Sequence, residues 1–295
     1  MSKEGGQSRL AVRKTYKLYI NGAFVRSESG RSDPLWDGKE FAANVARASR
    51  KDVRDAVVAA RAAQPNWFSM TPALRGLIFY RLAEMVEGRK AEFVERLREG
   101  SELAEPDAAA EVLAAIDRIV WYAGWCDKYA ALLSTRNPVG GPHFNFSTAE
   151  PMGVIALIAP DEPALLGMVS MMMPALVAGN TLVIVGSERD PRTPMTFAEA
   201  LATSDLPAGV VNVLTGHRTE LAPPLAKHMD VNGMTFVDID NPYTTELQRS
   251  SAENLKRTHV VPARSRAQWF SADVQSLDEI AALSEIKTIW HPAGI

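Results

Sequence analysis

Four short apolar runs, GVIALIAP, TLVIVG, VVNVLT and GMTFVD, begin near residues 153, 181, 210 and 233. Helical patterns fill the intervals between them. Continuous apolar strands that alternate with helices require a parallel sheet covered on both faces. Right-handed crossovers then give a Rossmann-like, doubly wound α/β unit. The expected fold class is therefore α/β, with helices ahead of the sheet. Ligands of such sheets bind at strand-to-helix turns. Here the first such turn, APDEPALL, carries Asp161, Glu162 and Pro163, with no glycine and no cation of its own.

The rest of the chain supplies the frame. Its 295 residues suffice to bury a large core, and 46% hydrophobic against 23% charged residues is an ordinary globular balance. A net charge of −3 gives no general attraction to nucleic acid or to an anionic membrane. One cysteine forbids an internal disulfide and favours a cytosolic setting. The first fifteen residues are polar, lack an apolar signal core and read as a flexible N-terminus. Asn21-Gly22 between apolar alternations predicts a hairpin. Ser49 with Asp52 predicts a helix start, and Pro65 predicts its end. Thr71-Pro72 opens a second helix, expected to break near Gly88. An Ala-rich helix spans PDAAAEVLAAIDRIVWYAGWCDKYAALL, which places Cys126 in mid-helix. The Met-rich run at 168–173 reads as soft core filling. The polar stretch after the fourth run reads as irregular, followed by one strand-like run (THVVPA), one short helix and an aromatic end.

These segments, in this order, resemble the aldehyde dehydrogenase superfamily. KLYINGAFVRSESGR is similar to its opening hairpin, and WYAGWCDKY to its Tyr-Ala-Gly-Trp-Ala-Asp-Lys helix. EPMGVIALIAP is similar to the strand entering its nucleotide-binding sheet, and DLPAGVVNVLTG to Gly-Leu-Pro-Pro-Gly-Val-Val-Asn-Val-Val-Thr-Gly. The resemblance covers about residues 16–238. It implies a dinucleotide-binding domain (residues 16–240) with a β extension near 136–152 that builds oligomers. Residues 241–295 are expected to stand where the family has its catalytic domain.

Several departures fall on the family's chemistry. Glu162 stands where the resemblance implies an Asn that donates to the oxyanion, and a carboxylate repels that charge. Val185 stands in place of a ribose-binding Lys and donates nothing. Glu188 matches the family's other ribose partner and is the one cofactor-binding residue expected to survive. Asp238 and Asp240 occupy the family's pyrophosphate turn, where two carboxylates oppose a diphosphate. No match exists for the general base or the nucleophilic cysteine, and Cys126 reads as structural. The five histidines lack ligand-type spacing, so no metal is expected.

The expected role is that of a structural or regulatory pseudoenzyme without a cofactor. Its expected partner is itself or a full-length aldehyde dehydrogenase, with Phe144 and Phe146 at the interface and THVVPA as third strand of the extension. A missing catalytic domain also predicts a bare apolar face. The alternatives are an NAD(P)-dependent component completed by a partner chain, and a small-molecule sensor using the old cleft.

Overall fold

The computed structural model describes residues 12–238 and 241–293. The N-terminal part opens with strands β1 (Thr15–Tyr16), β2 (Leu18–Ile20), β3 (Ala23–Val25), β4 (Ser32–Asp37) and β5 (Glu40–Ala46). Helices α1 (Arg50–Ser69), α2 (Pro72–Gly88), α3 (Lys90–Gly100), α4 (Glu105–Ala123) and α5 (Tyr129–Leu133) follow. Two strands, β6 (Thr135–Asn137) and β7 (His143–Pro151), then lead into the alternating part. That part runs β8 (Val154–Ile158), α6 (Leu166–Val177), β9 (Thr181–Val185), α7 (Arg192–Thr203), β10 (Val211–Leu214) and α8 (Arg218–Lys227). It continues with β11 (Gly233–Val237), α9 (Asn241–Ala252) and β12 (Arg257–Val261). The last stretch holds α10 (Arg266–Trp269), a 3-10 turn at Ala272–Val274, α11 (Leu277–Ala282) and β13 (Ser284–Pro292).

The doubly wound sheet is present, in the order β12-β11-β8-β9-β10-β2-β3. β12, β11, β8, β9 and β10 are parallel, and the β2-β3 hairpin closes one edge antiparallel to β10. Period-2 alternation divides each central strand between two cores. Ile155, Leu157, Leu182 and Ile184 face α2, α4, α6 and α7, while Val154, Ala156, Ile158, Val183 and Val185 face α1 and α8. The chain winds outward through β8, β9 and β10, then returns to β11 on the other side of β8. The strand order therefore reverses between β8 and β11, and the crevice for a ligand lies at the carboxyl ends of these strands.

Local signals set most element ends. Asn21 (φ 52°) and Gly22 (φ 75°) make the β2-β3 turn. Ser49 and Asp52 form a reciprocal capping box on α1, and Thr71 caps α2 with Pro72 in its first turn. The second helical stretch does break at Gly88-Arg89. The Met-rich α6 is buried along its whole length.

Other expectations are corrected. Pro65 does not end α1, which runs to Ser69. A proline costs one backbone hydrogen bond. Trp67, fully buried with its ring 5.7 Å from that of Phe79, holds the final turn in place. The Ala-rich helix stops at Ala123, so Cys126 lies in the turn before α5. The stretch read as irregular after β11 is helix α9. Its buried face is Thr244, Leu247, Ser250 and Ser251, which is helical in spacing but mostly polar. Apolar periodicity has nothing to register there. Thr15 already pairs in β1, and residues 1–11 of the expected flexible N-terminus lie outside the described residues.

THVVPA does not join the extension. It forms β12 beside β11, so the parallel sheet continues past the expected boundary at 240. The third strand of the extension is instead β13, paired antiparallel with β7 from Ser284↔Pro151 to Pro292↔His143. Both segments have strand character, and only long-range packing assigns each to its sheet. Between them, Trp269, Val274, Ile280 and Leu283 enter the same core as α4 and α6. Arg118 on α4 donates to Ser170 Oγ (2.8 Å) and to the carbonyls of Trp269 (3.2 Å) and Ser271 (3.4 Å). Glu111 accepts from the N–H groups of Leu165 (2.9 Å) and Leu166 (3.3 Å) at the start of α6. Its other oxygen meets Arg266 at 2.6 Å. The C-terminal segment thus covers one face of α4 and α6.

Candidate functional site

The turn after β8 decides the chemistry at the crevice. Asp161 Oδ1 accepts from the consecutive N–H groups of Glu188 (2.8 Å) and Arg189 (3.1 Å) and from Ser187 Oγ (3.1 Å). Arg218 closes on the same carboxylate with two nitrogens, at 2.6 Å to Oδ1 and 2.7 Å to Oδ2. The cation missing from this turn is therefore supplied by the turn after β10. Arg218, 8% exposed, also donates to the Ala159 carbonyl at 2.8 Å. The loop that carries the donors enters tightly from β9. A Cβ on Gly186 would meet Pro194 Cγ at 2.7 Å.

Glu188 lies in this network. Its Oε2 accepts from the N–H of Arg218 (3.1 Å), the first residue of α8, and its Oε1 contacts His217 Nδ1 at 2.5 Å. It therefore caps a helix, and a carboxylate suits that positive end. Glu162 is exposed and pairs with Arg189. Val185 is buried as the last residue of β9 and contributes packing alone. Asp238, at the end of β11, accepts from Thr244 Oγ1 at 2.7 Å. Asp240 lies outside the described residues. The fold thus gathers Asp161, Glu162, Glu188 and Arg218, while Asp238 turns to its own helix. Arg218 is the residue that sequence reasoning missed, and Asp161 is read in its turn without a partner. Each looks like an unremarkable charge until its partner, 57 positions away, is placed beside it.

Cys126 is 1% exposed, and burial pushes its thiol up to about 12. A thiol held neutral at ordinary pH is no nucleophile. Among the described residues no group of three His, Cys, Asp or Glu can hold a metal, and no helix is long and apolar enough to cross a membrane. A groove of about 730 Å³ lies between α1 and α8, lined by Arg50, Lys51, Arg54 and Lys227 among others. Lys51 and Arg54 there are paired with Glu28 and Asp55, which makes it a solvated ion-pair rim.

The extension is the sheet β13-β7-β6. Phe144 and Phe146 share one face with their rings 5.3 Å apart, and the Arg136 guanidinium stands 5.3 Å from the Phe144 ring. Phe144 is 42% exposed, and Ile286 (55%) and Trp290 (60%) are exposed on the other face.

A doubly wound parallel sheet with its crevice at the β8/β11 reversal, preceded by helices and flanked by a β extension, is the architecture of a dinucleotide-binding domain. The sequence profile of the aldehyde dehydrogenase family matches residues 27–261, and the chain belongs to that family. It is 33% identical over 249 residues to a putative aldehyde dehydrogenase DhaS of Bacillus subtilis, covering 82% of this chain and 49% of that protein. The solved NAD+ complex of an aldehyde dehydrogenase from Bacillus cereus superposes with a TM-score of 0.80 at 26% identity, over 84% of this chain and 51% of that one. PnpE in complex with nicotinamide adenine dinucleotide gives 0.79 at 29% identity, over 83% and 50%. The chain spans about half the length of the curated relatives it matches. The expectation of no cofactor is overturned here, because solved relatives that share this fold hold NAD.

Proposed function

We propose that this chain is an NAD(P)-binding, non-catalytic member of the aldehyde dehydrogenase family that acts as a structural or regulatory subunit. It assembles through the β13-β7-β6 sheet, with a second copy or with a full-length aldehyde dehydrogenase. The observation that carries this reading is the sheet itself, which exposes Phe144, Ile286 and Trp290. Exposed aromatic and branched side chains on each face of so small a sheet mark surfaces that another protein covers. The buried Cys126 thiol and the carboxylate of Glu162 support the absence of chemistry on this chain alone. The NAD-holding relatives and the crevice at the strand ends support dinucleotide binding, with Glu188 after the second strand of the unit as the acid nearest a ribose. That fit is incomplete at rest, since Glu188 caps α8 and the neighbouring donors hold Asp161.

The test is the mass of the purified chain by light scattering, with Phe144→Arg and Trp290→Arg beside it. The unaltered chain is expected as a dimer or larger, alone or with the aldehyde dehydrogenase that co-purifies from its native cells, and both variants as lighter species. A monomer without such a partner, or masses unmoved by both substitutions, would sink the interface. The NAD-holding relatives also favour a second reading, an oxidoreductase component completed by a partner chain. Aldehyde-dependent NAD(P) reduction that appears only in the mixed complex, and survives Cys126→Ala, would establish it.

A further inference from the structure

The outer edge of β13 is open. The strand pairs with β7 without a register shift from Ser284↔Pro151 to Pro292↔His143. Among the described residues no strand lies on its other side. The Ala293 N–H donates to the Pro142 carbonyl at 2.9 Å, which continues the ladder by one pair. Backbone groups alternate sides along an antiparallel strand. Glu285, Lys287, Ile289 and His291 therefore turn their N–H and C=O groups to β7, and Ser284, Ile286, Thr288 and Trp290 turn theirs outward. Native edges are blunted by bulges, by charge or by proline. Here the ladder has no bulge, Lys287 is held by Glu150 at 3.0 Å, and Pro292 sits only at the last position. Ile286, Thr288 and Trp290, which bond outward, also have exposed side chains.

We propose that β13 pairs antiparallel with β13 of a second copy of this chain, about a two-fold axis at Thr288, so that the two extensions become one continuous sheet. This rests on the reading of the β13-β7-β6 sheet as the assembly surface, and it names the occupant and the register. An axis at Thr288 is the one that overlaps all 9 residues of the strand. It sets Ile286 opposite Trp290 of the second copy, Thr288 opposite Thr288, and Glu285 opposite His291. A branched side chain against an aromatic one, two threonines, and an acid against a histidine are pairs that favour strand association. The symmetry repeats each unlike pair on the other side of the axis. An axis at Lys287 shortens the overlap and sets that lysine against itself. An axis at Ile289 shortens it too and sets Ile286 against Pro292. The outward backbone groups fit the Thr288 axis. Thr288 meets Thr288, and Ile286 meets Trp290, as residues that exchange both N–H···O bonds. At the ends Ser284 faces Pro292, which has no N–H to give. The Ser284 carbonyl left over there is already satisfied, because Arg257 donates to it at 3.1 Å.

Cysteine cross-linking of the whole chain tests the register. Residues that exchange both bonds have Cα atoms about 5.5 Å apart, within reach of a disulfide. Thr288→Cys is expected to give a covalent dimer under mild oxidation. The unaltered chain, whose Cys126 is buried, should give none. Ile286→Cys alone should also give none, and Ile286→Cys combined with Trp290→Cys should be linked. Cross-links as frequent at Ile286→Cys as at Thr288→Cys would be random collision and overturn the register. Two further variants weaken the edge without touching the β7 ladder. Thr288→Pro removes an outward N–H, and Thr288→Lys sets like charges on the axis. Each is expected to raise the dissociation constant of the dimer at least about tenfold by analytical ultracentrifugation. Thr288→Lys carries this arm if the proline variant does not fold. No cross-link at Thr288→Cys, with the dimer unmoved by Thr288→Lys, overturns the edge pairing. If Phe144→Arg then still lowers the mass, or the chain joins only a full-length aldehyde dehydrogenase, the sheet remains the assembly surface and the β13 pairing alone fails. A monomer with no co-purifying partner sinks both.

Discussion

Lys256 shows how a single side chain can set the pH response of the fold. Its ammonium donates to the Asn254 side-chain oxygen at 2.6 Å, a neutral partner. Burial lowers its pKa from 10.5 to about 8, so the folded chain disfavours its charge. Between those two values the unfolded chain binds the proton and the folded chain does not. Stability therefore rises with pH across that window, and the penalty is fully present below it. Lys256→Met is expected to gain about 1 kcal/mol at pH 7, less than the full shift would imply because water still screens the group. The gain should fade as pH approaches the unfolded value of 10.5. Urea melts from pH 7 to pH 10.5 would show it, and a pH-independent difference would refute it. The sequence made some residues of the crevice legible and hid others. Glu162 and Val185 are legible as departures from the residues the resemblance implies, because side-chain type alone sets them apart. Arg218 is invisible, because its meaning depends on Asp161 being brought to 2.6 Å by two separate strands.

At the scale of elements, the C-terminal segment is fastened to α4 by side chains that sequence periodicity does not single out. Trp269 is 1% exposed, and the Arg264 guanidinium stands 5.2 Å from its ring. Trp269→Ala is expected to cost about 3–5 kcal/mol, the usual range for emptying a buried aromatic site. Limited proteolysis should then cut first within residues 262–283, whereas the unaltered chain should resist there. Uniform cleavage in both would mean that the segment is not held by this residue. The same scale explains the misplaced strands. THVV and SEIKTIW have similar local strand character, and a strand carries no label for its partner. β12 pairs with a strand about 24 positions away, β13 with one more than a hundred positions away.

For the whole molecule, Trp269, Val274, Ile280 and Leu283 share one core with α2, α4, α6 and α7. A chain stopped after Val261 would therefore expose the α4 and α6 face and leave β7 without its long partner. It is expected to lose cooperative unfolding and to bind hydrophobic dye; a sharp thermal transition with no dye binding would show that residues 12–261 suffice. The sequence by itself determined the alternation of strands and helices, the capped helix starts, the hairpin at Asn21-Gly22 and the family. These depend on periodicity and on residue chemistry over a few positions. The tertiary structure alone decided which sheet receives β12 and β13, that the C-terminal segment covers α4 and α6, and that Asp161 meets Arg218. Those outcomes depend on contacts between distant segments, where several pairings satisfy the local rules and only the packed whole selects one.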